Sequence, residues 1–269
     1  MNISLRDVGF VYPSGVNALH GISLEIASGE RVAIVGQNGS GKTTLAKHLN
    51  ALLRPTQGVV HIGDWDTREH STAQMARRVG FLFQNPDEQI FKNRVADEVA
   101  FGPQQLRLSS TEIESRVAAA LERTGLTAQR DAHPYELQPS ERKWVALASV
   151  LAMDTPILVL DEPTTGQDER GMARLGALIA SLAREGKTIV TITHDLDFVA
   201  ENFGRVMVMG QGKVLNNGEA HRVLADANLL AQTAVDPPQI TRLGLALGFP
   251  QSVLTVDEFL RIKSSRFAC

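Results

Sequence analysis

Residues 36–43 read GQNGSGKT, glycines set around a lysine and a threonine in the pattern G-x-x-x-x-G-K-[ST]. The chemistry this suits is the gripping of a nucleotide's phosphates. Gly36, Gly39 and Gly41 let the backbone wrap closely, and the N–H groups running through Gln37, Asn38 and Ser40 form a nest for phosphate oxygens. A helix beginning at Lys42 adds its positive end to the same spot. Lys42 is expected to reach the β- and γ-phosphates and the hydroxyl of Thr43 to hold Mg²⁺, with Thr44 beside them in the phosphate-binding turn. At average residue frequencies the pattern arises by chance in on the order of one per cent of chains of this length. Here it also follows an apolar strand and precedes a helix, which argues against an ordinary glycine turn.

Three further strand ends carry chemistry. ILVLDEP (157–163) buries four apolar residues and delivers Asp161 and Glu162 at the carboxyl end of a strand, where open α/β sheets bind ligands. Asp161 is placed to hold Mg²⁺, directly or through water, and Glu162 to take a proton from attacking water. Read alone, the pair is equally a solvated start to a loop. TIVTITHD (188–195) delivers His194, which either contacts the γ-phosphate and the attacking water or simply terminates a strand, while Asp195 caps the next helix. VGFLFQ (79–84) ends on Gln84, whose neutral amide can bind both metal and water. Singly these two are weak signals. Four strand ends converging on one class of ligand, with Lys42, Gln84, Glu162 and His194 as the catalytic set, are a strong one.

Those ends need a scaffold. Strand-like ISLRDVGFVY, GISLEIA and RVAIVG precede the loop, a helix follows from about Lys42 to Leu52, and VVHIG is again a strand. Capping boxes are expected at Ser71–Gln74, Ser109–Glu112 and Thr255–Glu258. From about Asn85 to Met153 the pattern is mostly helical, then strands return and RVMVMGQGKVL reads as a hairpin. Within the helical stretch, LQPSERKWVAL places Pro139 in a first helical turn, and the apolar run through Met153 predicts a buried helix. Alternating strands and helices predict an α/β fold with a mostly parallel sheet and an inserted helical lobe. After about Ala225 the chain is mostly helical.

Composition sets bounds. The 269 residues suffice for one large domain or a domain with an inserted lobe. A formal charge of −3 argues against a protein that coats nucleic acid. The single cysteine is Cys269, so no disulfide framework is expected, in keeping with a reducing cytosol. MNISLRDVGF lacks the charged head and apolar run of a leader, and VALASVLAM is about half the roughly 20 residues needed to span a bilayer. At a membrane, other subunits would have to do the spanning.

The phosphate loop, Gln84, LVLDEP, Asp168 in TTGQD and His194 stand in the order found in the nucleotide-binding subunits of ATP-binding cassette (ABC) transporters, and over about residues 3–225 the chain resembles them. FQNPDEQIF (83–91), VADEVAFGPQQL (95–106) and DPPQITRLGLALG (236–248) are more similar still to the ATPases of energy-coupling factor (ECF) transporters. The resemblance implies a P-loop NTPase core with an N-terminal antiparallel β-subdomain, a helical subdomain at about 85–155 within an ATPase domain of 1–225, and an extension at 226–269. It implies ATP and Mg²⁺ as ligands, and Tyr12 as the ring that stacks on adenine. It implies as partners a second ABC ATPase subunit, a transmembrane coupling subunit and a substrate-binding membrane subunit, at the cytoplasmic face of the membrane. Asn85 to Phe91 would face the coupling subunit, the alternative being a surface loop with Ile90 and Phe91 buried.

One element departs from the family. Where it has L-S-G-G-Q, presented to the partner's ATP, this chain has Leu137, Gln138, Pro139, Ser140 and Glu141. Gln138, Ser140 and Glu141, with Asp168, would approach the partner's nucleotide. Glu141 is a tolerated change; Pro139 removes an N–H and Ser140 adds a side chain where glycine allows close approach. Trp144 stands where arginine is usual, and its spacing to Leu147, Ala148 and Leu151 points to packing. The residues for the chain's own ATP are intact, so an asymmetric heterodimer is expected. A GTPase would show N-K-x-D, which is absent, and a kinase gives no reason for DEPTTGQD followed by a strand-end histidine. DNA-repair and ribosomal ABC ATPases carry coiled coils or two cassettes, which this chain lacks, so no nucleic-acid partner is expected, while the core motifs alone fit an ABC importer outside the ECF group equally well.

Overall fold

The computed structural model describes residues 1–233, 235–249 and 252–267; Cys269 lies outside them. The first third contains β1 (Ile3–Val11), β2 (Asn17–Ile26), β3 (Arg31–Val35), α1 (Lys42–Leu49), β4 (Gln57–Ile62), β5 (Trp65–Asp66), α2 (Thr72–Met75) and β6 (Val79–Leu82). Helices α3 (Val95–Gln105), α4 (Ser110–Arg123) and α5 (Pro139–Ala152) make the middle. Then follow β7 (Ile157–Asp161), α6 (Glu169–Arg184), β8 (Thr188–Ile192), α7 (Leu196–Asn202), β9 (Arg205–Gly210) and β10 (Lys213–Glu219). The last four helices are α8 (Ala220–Ala225), α9 (Ala227–Ala231), α10 (Gln239–Ala246) and α11 (Val256–Phe267).

Two sheets divide the work. An antiparallel sheet runs β2-β1-β4-β5, and a second runs β10-β9-β3-β8-β7-β6, parallel except for the β9–β10 hairpin. β7 and β8 are buried along their whole length, as strands covered on both faces must be. Their alternate side chains serve two cores. Ile157 and Val159 face the layer containing α1 and the antiparallel sheet, whereas Leu158 and Leu160 face the layer of α3, α4 and α5. Phe249, Val253 and Phe259 form a small third cluster in the C-terminal extension. Among the described residues no helix is long and apolar enough to cross a membrane.

Local signals were partly overruled by neighbours. The box at Ser71–Gln74 closes both ways, with N–H···O distances of 2.8 and 3.3 Å. At Ser109 only half forms, because the Glu112 carboxylate turns to Arg116 one helical turn on, at 3.0 Å. At Thr255 the Glu258 carboxylate accepts the N–H of Leu254 instead, at 2.8 Å, and also meets His221. Helix α1 stops at Leu49, short of Leu52, where Ala51 takes a left-handed φ of 57° and its carbonyl accepts the Thr72 hydroxyl.

His48, fully buried in α1, donates from Nδ1 to the Thr44 carbonyl at 2.7 Å, which leaves Nε2 bare and without a partner among the described residues. Burial holds its pKa below the ordinary 6.5, the Thr44 bond opposing. Between those two values the unfolded chain takes up a proton that the folded one refuses, so stability present above about pH 6.5 is lost as pH falls. The melting temperature should therefore drop less between pH 7.5 and 5.5 in His48→Gln than in the parent, as thermal scans would read; equal slopes would remove His48 from the account.

Candidate nucleotide-binding site

The four predicted strand ends are neighbours in space. The run β3-β8-β7-β6 sets side by side the phosphate loop, His194, the Asp161–Glu162 pair and Gln84. Register keeps the ends level: Ile34 and Asp161 both pair with Ile192, and Leu82 pairs with Leu160.

Two loop glycines are required by close approach. A Cβ on Gly36 would lie 2.1 Å from the Met209 carbonyl oxygen, and one on Gly41 2.7 Å from that of Ala18. Both also have positive φ, 145° and 98°. Inside the turn, the Lys42 ammonium donates to the carbonyls of Gly36 at 2.6 Å and Gln37 at 3.0 Å. The buried Ser40 hydroxyl has no partner among the described residues. Burial lowers the pKa of Lys42, with Glu162 and Asp161 opposing. Burial likewise raises that of Asp161, against the hydrogen bond from the Thr43 hydroxyl at 3.3 Å. Both shifts disfavour charge, which an anionic phosphate and a cation would restore.

Hard oxygen donors stand at this cleft: the Thr43 hydroxyl bonded to the Asp161 carboxylate, and Gln84 lining the same space as Thr43. That set suits Mg²⁺ shared with phosphate oxygens. Among the described residues no cluster of three or more His, Cys, Asp or Glu makes a self-contained metal site.

Glu162 is held in an unusual backbone. Its φ is 48°, a left-handed value for a residue with a Cβ, a conformation that costs of order 1–3 kcal/mol and gathers at functional sites. Its N–H donates to the Ile192 carbonyl at 2.8 Å, and its carboxylate meets His194 Nδ1 at 2.9 Å. The acid is buried while the imidazole is largely exposed.

Tyr12, in the β1–β2 turn, makes a 3.0 Å hydroxyl contact with Thr44 and stands edge-on to Phe10. With Lys42, Gln84 and Glu162 it lines an open cleft of about 670 Å³. Sequence reasoning missed three further lining residues, Val16, His20 and Gln211. The hairpin was legible, and its two-residue turn Gln211–Gly212 has φ of 48° and 73°. Its docking was not: the Gly212 N–H reaches the Ser40 carbonyl, and its own carbonyl takes the His20 N–H.

The segment Leu137–Glu141 leads into α5 as Pro139 predicts, with Gln138 as the exposed N-cap. Glu141, treated as a harmless change, has a definite role: its carboxylate accepts the Gln138 N–H at 3.0 Å, setting negative charge on the helix end that would face phosphate. Trp144 is buried, as its spacing implies. Its indole N–H donates to Gln167 at 2.9 Å, the Gln167 amide reaches the Ser140 carbonyl at 3.3 Å, and Arg174 stacks 4.2 Å above the ring. Asp168 is exposed and caps α6 through the Gly171 N–H at 2.8 Å. Lys143, also missed, lies buried behind the site.

In the loop after Gln84, Ile90 is buried but Phe91 is 56% exposed, which corrects the reading in which both are covered. Phe91 stands edge-on to Phe101, and both line a mostly apolar groove of about 660 Å³ between the two cores.

A phosphate loop, an acidic pair with its histidine and an inserted helical layer together define the P-loop ATPase class. The profile of the family described as ABC transporter matches residues 19–165. A putative ABC transporter ATP-binding protein of Caldanaerobacter subterraneus is 41% identical over 258 residues, and the chain spans only 45% of that longer relative while 96% of the chain is matched. The energy-coupling factor transporter ATP-binding protein EcfA of Methanothermobacter thermautotrophicus is 39% identical, over 95% of this chain and 84% of EcfA. The structure of cbiO1 from Clostridium perfringens, described as part of the ABC transporter complex cbiONQ, aligns with a TM-score of 0.77 at 33% identity, over 91% of this chain and 98% of cbiO1. The chain belongs to the ABC transporter family, as an ATPase subunit of the ABC/ECF type.

Proposed function

We propose that this chain energises an ECF-type uptake transporter for a vitamin or metal ion, and that it does so in an asymmetric heterodimer with a different ABC ATPase. The observation that carries the heterodimer is the contrast between two ends of the molecule. Lys42, Thr43, Gln84, Asp161, Glu162 and His194 stand together at the chain's own nucleotide cleft. The end of α5 lent to the partner lacks the Pro139 N–H and has a carboxylate on the Gln138 N–H. Two such chains would make two impaired composite sites; one such chain beside a partner with an ordinary signature makes one good site.

In this reading Lys42 and the loop amides bind the ATP phosphates while the Tyr12 ring covers the adenine. Thr43, Asp161 and Gln84 hold Mg²⁺, which when bound neutralises phosphate oxygens. Glu162 orients the attacking water and takes its proton, and His194 fixes the carboxylate while contacting the γ-phosphate. Closing the two subunits aligns water and phosphorus in line, so catalysis is chiefly positioning and charge stabilisation. The chain sits peripherally at the cytoplasmic face, its 1–225 ATPase domain docking the transmembrane coupling subunit through the Phe91 groove. A substrate-binding membrane subunit selects the solute, and residues 226–269 add dimer contacts.

Native mass spectrometry of the detergent-extracted complex should find one copy of this chain with one different ABC ATPase and the membrane subunits. A stable, fully active homodimer reconstituted with those membrane subunits would sink the heterodimer.

A further inference from the structure

Lys143 is the only charged side chain among the buried residues of α5, at 5% exposure. Its Nζ donates to two main-chain carbonyls, that of Gln84 at 2.7 Å and that of Glu162 at 2.8 Å. An ammonium buried on neutral carbonyls is costly, and burial pulls its pKa down while Glu162 and Asp161 oppose. An apolar residue would serve packing at less cost, so the charge needs another reason.

The two carbonyls belong to the two residues whose side chains face the nucleotide from β6 and β7. The Glu162 carbonyl belongs to a residue held at a left-handed φ of 48°, and the Lys143 ammonium donates to it. We propose that Lys143 is a positioning residue for hydrolysis, pinning the Gln84 and Glu162 main chains to one point on α5 so that both side chains keep a fixed spacing across the cleft. The inference rests on Glu162 being the base. It adds a direct link from the base to the same helix whose first turn is offered to the partner's ATP.

The test uses the assembled transport complex with Lys143→Met, which keeps length and apolar stem, and Lys143→Gln, which keeps a donor. Lys143→Met should lower kcat about ten- to a hundredfold, the scale of a small misplacement of reacting groups. The Kd for Mg-ATP should stay within about threefold, and Lys143→Gln should recover part of the rate. Added to Glu162→Gln, Lys143→Met should cost less than about a further twofold, since a residue acting through Glu162 has nothing left to position. The proposal fails if Lys143→Met turns over like the parent, if Kd weakens as much as kcat falls, if Lys143→Gln is no better than Lys143→Met, if the double change is fully additive, or if neither variant folds. Should Glu162→Gln itself keep the parent rate, the assignment of the base fails first, and the two failures are told apart.

Discussion

Glu162→Gln is expected to cut ATP turnover in the assembled complex by about 10²–10⁴-fold while leaving nucleotide binding intact, the range attached to a positioned proton acceptor. The amide matches the carboxylate in shape. It also tolerates the backbone, for Gln211 in this protein takes the same φ of 48°. The contacts that hold residue 162 through its main chain, to Ile192 and Lys143, do not involve the side chain. The amide can still hydrogen-bond His194, so the substitution isolates the loss of the proton acceptor from loss of the fold. Without hydrolysis the closed, ATP-bound pair of subunits should persist, and gel filtration with Mg-ATP would show it. Single-turnover rates equal to the parent's would refute the role given to Glu162.

The second large effect is a gain. Changing Gln138→Ser, Pro139→Gly and Ser140→Gly together should raise turnover of a forced homodimer by about 10²–10³-fold, because one preorganised donor to a transition state is worth about 2.7–4 kcal/mol. The Pro139 change returns a missing N–H and the Ser140 change removes a side chain from the approach. Adding Glu141→Gln should raise it further by lifting the carboxylate from the Gln138 N–H. The contact from Gln167 should survive, since it is made to the main-chain carbonyl of Ser140. Glycine in a first turn loses some local stability, about 0.5–1 kcal/mol, a small offset against that gain. Steady-state ATPase of the purified homodimer reads the result. An unchanged rate would mean that the altered first turn was never limiting.

What the sequence made visible was local. A strand, a loop and a helix contiguous in the chain declare GQNGSGKT, and a polar residue ending an apolar strand marks Gln84, Asp161, Glu162 and His194. Their lateral order could not be read, because β3, β8, β7 and β6 meet through pairings between segments far apart. Lys143 was hidden for a different reason. One charge in an apolar run looks like a solvated position until the two carbonyls it serves, 59 and 19 residues away, are seen beside it. The half-formed caps at Ser109 and Thr255 failed because Arg116 and the Leu254 N–H compete for the carboxylates. Phe91 defied burial statistics by lining a groove instead of a core.

Among the described residues, strand β3, which launches the phosphate loop, has as its sheet neighbours β8 and β9, segments that begin at Thr188 and Arg205. Gly36 is shaped by the Met209 carbonyl, and Ser40 is tied down by Gly212. Synthesised from its N-terminus, the chain therefore makes the phosphate loop well before the two strands that flank it in the sheet. Glu162 and His194 are also made after it, so a copy cut short before them carries the loop without the acid and the histidine that meet beside it.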